Sequence, residues 1–173
     1  EAYRLLMHTG YPSWLYPVTQ GATTIWERLN SFTHEDGFGR NNSMNSFNHY
    51  AFGCVFDWLM QRSAGISPDE ASPAFHHFFL RPVTDSTGRL TSAAAHYDSM
   101  YGRIESGWRI EPDGTTVYKF TVPANTKATL MLPISADDRI KPDARALSGH
   151  RNGDIMEYEL GSGKYVFEIK KRK

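Results

Sequence analysis

The feature that most constrains this chain is a change of hydrophobic period near residues 64 to 74. Upstream, apolar residues recur at helical spacing. From Met44 to Arg62, the residues Phe47, Tyr50, Ala51, Cys54, Val55, Trp58 and Leu59 fall every three or four positions, which predicts one buried face of a long helix. Downstream the period becomes two, as in strands with one face packed and one face wet. A chain that carries both patterns in series predicts a helical part followed by a sheet part, an α+β arrangement. The expected boundaries are 1–68 for the helical part and 73–173 for an antiparallel β-sandwich, joined by a small, polar linker from Pro68 to Pro73.

The strand signals are short and regularly spaced. Phe75 to Arg81, two strands within Leu90 to Trp108, Thr115 to Val122 and Ala128 to Leu132 each alternate or run apolar between turn residues. Ile155 to Leu160 and Tyr165 to Ile169 flank Gly161-Ser162-Gly163, which predicts a hairpin. In the helical part, Glu1 to Thr9 reads as the back half of a helix closed by Gly10, with no N-cap before it. The expectation is a C-terminal piece of something longer. Thr23 to Leu29 predicts a short helix. Gly53, inside the long helix, predicts the close approach of another backbone, since glycine there costs about 1 kcal/mol against alanine.

Charge and composition exclude several classes. Lys and Arg number 19, as do Asp and Glu, so no basic excess points to nucleic acid. No apolar run approaches the ~20 residues of a membrane span. One cysteine, Cys54, rules out a disulfide within the chain and a multi-cysteine zinc site; its place on the apolar helix face predicts inert packing. His76 and His77 are adjacent in an expected strand, where side chains alternate, so they cannot share one ion. No metal or cofactor is expected, and nothing fixes the compartment. Aromatic residues make up 13% of the chain, suited to cores first and sugar-stacking platforms second.

Glu27 has two readings from spacing alone. Thr24-Ile25-Trp26-Glu27 fits a capping box, in which a threonine and a glutamate three residues on satisfy the first turn of a helix. A carboxylate with the usual pKa near 4.3 is also ionised at neutral pH, as a general base must be. His49 reads either as a hydrogen-bonded rim residue or as a donor to a sugar hydroxyl. Asn42, Ser43, Asn45, Ser46 and Asn48 supply caps or line a polar pocket. Trp14 and Trp26 fit a pocket wall and a core equally.

Three linked motifs carry a resemblance. Gly10-Tyr11-Pro12-Ser13-Trp14, then Gly21-Ala22-Thr23-Thr24-Ile25-Trp26-Glu27-Arg28, then Ser43-Met44-Asn45-Ser46-Phe47-Asn48-His49-Tyr50-Ala51-Phe52-Gly53 resemble, in order and spacing, the bacterial α-L-rhamnosidases of glycoside hydrolase family seventy-eight. Tyr101 to Trp108 and Val122 to Ala128, before Leu132-Pro133, resemble that family's C-terminal β-sandwich. The resemblance implies the last helices of an (α/α)6 catalytic barrel followed by the sandwich. It implies inverting hydrolysis of terminal α-L-rhamnose, with Glu27 as general base and His49 as a rhamnose contact; Trp14 and Trp26 are the added wall candidates. Inversion needs two carboxyl groups about 6.5–9.5 Å apart with a water between base and anomeric carbon. The family's general acid lies upstream of its Pro-Ser-Trp motif, and no stretch here matches it. The upstream part of the same enzyme is thus an expected partner, and this chain alone is expected to be inactive and prone to association through its uncovered helix flank. Where the family often has another tryptophan and an acid after Trp-Glu-Arg, Leu29 and Asn30 follow here. Two other readings of the sandwich are a carbohydrate-binding module and a purely structural cover for the barrel.

Overall fold

The computed structural model describes residues 1–39, 43–143 and 149–171. Asn42 of the polar cluster lies outside them. The chain divides into two units, Glu1–Asp57 and Trp58–Lys173.

The first unit has little regular structure. Helix α1 spans Ala2–Leu6 and α2 spans Leu15–Thr19. Residues 23–29 form no helix, so the capping box does not exist as such. The long helix expected from Met44 begins only at Ala51. It runs as a 3-10 turn (Ala51–Cys54), a short α-helix α3 (Val55–Trp58) and a π turn (Leu59–Ala64). One cause explains both departures. The backbone groups that a helix would use are engaged sideways: the Glu27 N–H donates to Ser46 O at 2.8 Å and the His49 N–H to Ile25 O at 2.7 Å. The expected apolar face is not buried; Tyr50 is 88% exposed and Cys54 is exposed rather than packed. Gly53 meets no backbone either, because a Cβ there would find only the Ile25 side chain at 4.0 Å.

The second unit is a sandwich of two five-stranded sheets. The strands are β1 (Ile66–Pro68), β2 (His77–Leu80), β3 (Ser92–Ser99), β4 (Gly102–Ile110), β5 (Thr115–Val122), β6 (Lys127–Pro133), β7 (Arg139–Lys141), β8 (His150–Asn152), β9 (Ile155–Leu160) and β10 (Gly163–Lys170). One sheet runs β1-β2-β6-β9-β8, the other β3-β4-β5-β10-β7. All pairs are antiparallel except β2 with β6. Burial alternates as a two-faced strand requires: Tyr118, Phe120 and Val122 of β5 and Tyr165, Phe167 and Ile169 of β10 point inward, against Leu130 and Leu132 of β6 and Tyr158 and Leu160 of β9. Tyr158 meets Phe167 across the two sheets, centroids 5.0 Å apart.

Strands β9 and β10 do not form the expected hairpin. Strand β9 pairs with β6 and β8, and β10 with β5 and β7, so Gly161 and Ser162 carry the chain from one sheet to the other. Alternation in each strand is satisfied by either partner, which is why the local pattern misled. Two polar contacts anchor the π turn to β4: Trp108 Nε1–H donates to Ser63 O at 2.8 Å, and the Ser106 hydroxyl donates to Ala64 O. His77 is in β2 and bonds Asp69 Oδ2 through Nδ1 at 2.7 Å and Thr129 Oγ1 through Nε2 at 3.0 Å, whereas His76 lies before the strand against Tyr101. Phe78 is fully buried within the sandwich.

Candidate active site

Glu27 and His49 lie on two antiparallel segments of the first unit, 24–28 and 44–49. Contacts run in opposite chain directions along them: the Thr24 hydroxyl donates to Phe47 O, His49 N to Ile25 O, Glu27 N to Ser46 O, and an Arg28 guanidinium N–H to Met44 O at 2.6 Å. The Glu27 carboxylate closes the pair from its side chain, Oε2 accepting the Ser46 N–H at 2.7 Å. Glu27 and Ser46 therefore exchange two hydrogen bonds. A charged acceptor on a backbone N–H is a strong and short contact, and it fixes the carboxylate while leaving Oε1 with no hydrogen bond among the described residues. Glu27 is half-buried.

A second set of contacts brackets this pair. Ser31, 2% exposed, accepts the Arg28 N–H on its hydroxyl at 3.2 Å. The Asn45 side chain donates from Nδ2 to Ser31 O at 3.1 Å and also meets the Ser31 hydroxyl through Oδ1. Arg28 directly follows Glu27, Ser31 lies four residues on, and Asn45 directly precedes Ser46. The Asn45–Ser31 clamp thus sets the spacing of the two segments at the carboxylate.

His49 presents its ring beside Tyr50, nearly parallel, with centroids 5.4 Å apart. Its Nδ1 accepts the Ala51 N–H at 3.3 Å, so in the neutral ring the proton sits on Nε2, which is then a donor. Trp26 is 7% exposed and packs edge-on against Phe47, so it supports the Phe47 segment from within the unit. Trp14 is half-buried and donates Nε1–H to Phe52 O at 3.1 Å. The structure brings Glu27 and His49 onto paired segments. It ties Trp14 and Trp26 to the same stretch of chain, 47–52, that carries His49.

Residues 1–62 match the model described as the bacterial alpha-L-rhamnosidase 6 hairpin glycosidase domain, and residues 65–146 match that of the bacterial alpha-L-rhamnosidase C-terminal domain. The chain is homologous to the C-terminal part of the bacterial α-L-rhamnosidases. An α-L-rhamnosidase of Formosa agariphila is 36% identical over 97% of this chain. Among solved structures, Streptomyces avermitilis α-L-rhamnosidase complexed with L-rhamnose superposes with a TM-score of 0.80 at 33% identity over 97% of this chain. That of Dictyoglumus thermophilum superposes with a TM-score of 0.81 at 26% identity over 98% of this chain. The chain spans 18%, 16% and 18% of those three proteins. The first unit is thus the end of a six-hairpin glycosidase domain, and the sandwich is the family's C-terminal domain.

Sequence reasoning did not single out Ser31 or Arg28, and it gave Asn45 only a generic polar role. Their partners lie 14 to 16 residues away in the chain, and no local spacing encodes that reach. The one available signal was Asn45 beside Ser46, in a polar run too rich for a helix interior.

Proposed function

We propose that this chain supplies the general base of an inverting α-L-rhamnosidase. In this reading Glu27 Oε1 takes a proton from a water poised at the anomeric carbon of a terminal α-L-rhamnosyl group. The leaving oxygen is protonated by an acid on the part of the barrel outside these residues. His49 Nε2–H donates to a ring hydroxyl and holds the sugar in register, with Trp14 and Trp26 stiffening the wall behind it. The observation that carries the reading is the Glu27 carboxylate, held on one oxygen by the Ser46 N–H and without a hydrogen bond on the other among the described residues, on a segment paired with that of His49. A base must keep one lone pair for water while its position is fixed, and misplacement by about 1 Å costs on the order of 100-fold in rate.

The test is to put these residues in place of the matching stretch of the S. avermitilis rhamnosidase. The hybrid should hydrolyse an aryl α-L-rhamnoside and release β-L-rhamnose as the first anomer seen by proton NMR. Release of the α-anomer first contradicts inversion. The 173 residues alone should give no turnover, since one carboxyl of the pair is not among them; turnover by the isolated chain contradicts the assignment of the acid elsewhere.

A further inference from the structure

The outward face of the β3-β4-β5 sheet holds a hollow of about 560 Å³ that the proposed chemistry does not use. The register explains it. Across the sheet, Ser92, Arg109 and Val117 form one outward row; Ala94, Gly107 and Lys119 the next; His96, Glu105 and Thr121 a third. Rows on one face are about 7 Å apart, twice the rise per residue. The middle row has almost no side chain on β3 and β4, so the floor drops between Arg109 on one side and His96 and Glu105 on the other. A Cβ at Gly107 would stand 3.0 Å from the Ala94 Cβ and 3.2 Å from Ala93 O, so any side chain there would press on β3.

The charges around the hollow are not spent on one another. Among the described residues, the side chains of Arg109, Lys119 and Glu111 make no hydrogen bond or ion pair. Glu105 accepts the Thr121 hydroxyl on Oε2 at 2.6 Å, which leaves Oε1 unused. Further along the same two strands the opposite charges do close: Arg103 grips Asp98 with contacts of 2.7 and 3.0 Å. The rim of the hollow therefore offers donors and acceptors in balance, over a floor of Ala94 and Gly107.

We propose that this hollow binds a neutral glycan. Vicinal hydroxyls are donors and acceptors at once, which is what a mixed rim of Arg109, Lys119 and Glu105 satisfies. The balance of charge disfavours a polyanion, and the polar rim disfavours an apolar ligand. The volume lies within the range of about 300–1,000 Å³ of small-molecule sites and admits more than one sugar ring. The site binds without bond cleavage and does not depend on the role of Glu27.

Saturation-transfer NMR and calorimetry on the 173-residue chain test it, with L-rhamnose and a neutral rhamnose-terminated trisaccharide as probes. Expected is saturable, millimolar binding, tighter for the trisaccharide. Arg109→Ala, at an exposed position, should weaken it at least about fivefold, and Ala94→Leu, which fills the floor, should abolish it. No saturation transfer at tens of millimolar overturns the proposal. So does binding unchanged in both variants, which puts the sugar elsewhere on the chain, or tighter binding of a uronic-acid oligosaccharide than of the neutral one.

Discussion

At the scale of single residues, the account rests on side chains that reach across the chain to backbone. Asn45 is the sharpest case, because it touches Ser31 and not the proposed reacting atoms. In the rhamnosidase hybrid, Asn45→Ala should lower kcat by between about 10- and 100-fold, with KM changed much less, because only the placement of the Glu27–Ser46 pair is loosened. Unchanged kcat would show that the clamp serves folding alone. Glu27 itself was legible as a residue of interest, but its partner was not. Spacing offered Thr24 and a helix cap, whereas the carboxylate bonds Ser46, 19 residues on. A capping box and a cross-segment contact demand the same residue type, so sequence cannot choose between them.

At the scale of elements, strands were read better than helices. Thr115 to Val122 was placed to the residue, because alternation records burial directly. Strands β1, β7 and β8 were missed; they are three residues long, too short to show a period. Helical spacing in 44–62 recorded apolar residues that this chain leaves uncovered, which is why the pattern was sound and the buried helix was not. Two junctions carry predictions. Gly65 has φ +88°, and a Cβ there would lie 2.2 Å from Pro82 N; Gly114 has φ +83° with nothing within 4 Å. Both alanine substitutions are strained, but Gly65→Ala also forces the backbone of 81–82 to move. Its melting temperature should fall by at least about 4 °C, clearly more than for Gly114→Ala. Equal falls would mean that the contact with Pro82 is soft.

Asp85, 3% exposed, organises the turn before β3. Its carboxylate accepts from Thr87 N at 2.8 Å, Thr87 Oγ1 at 2.8 Å and Leu90 N at 3.0 Å. Burial pushes this carboxyl up, but the N–H groups of Leu90, Thr87 and Arg89 and the Thr87 hydroxyl together hold it below the usual carboxylate range. A carboxyl whose pKa is lower folded than unfolded stabilises the fold above the unfolded value, near 4, and that contribution is lost as pH falls through the folded value. Thermal melts from pH 6 to pH 2 should therefore show a loss of stability below about pH 4 that is shallower in Asp85→Asn. That variant should also be less stable at pH 6, by about 1–3 kcal/mol, because its amide nitrogen replaces one of the two accepting oxygens and faces donors it cannot accept from. Parallel pH curves for the two proteins would remove Asp85 from the acid response.

At the scale of the whole molecule, the two units differ in what they bury. Among the described residues, Tyr3 and Trp26 are the large apolar side chains buried in the first unit, while Leu5, Tyr11, Val18, Ile25, Phe38, Met44, Tyr50 and Phe56 are exposed there. The sandwich buries a continuous core of aromatic and aliphatic side chains between its sheets. Amide exchange should thus be slowest in β5, β6 and β10 and faster in 24–39 and 43–50, where few backbone bonds are shielded. Exposed apolar area of this extent drives association, so the apparent mass of the isolated chain should rise with concentration in light scattering. A concentration-independent monomer with slow exchange across 24–39 and 43–50 would mean that the first unit is self-sufficient.

The most direct test of the central claim is the turnover of Glu27→Gln in the rhamnosidase hybrid. The amide keeps the size of the side chain but cannot take a proton from water. The account predicts kcat reduced at least about 100-fold with aryl rhamnoside binding retained. Turnover within a few-fold of the unsubstituted hybrid would contradict it and leave Glu27 a positional residue only.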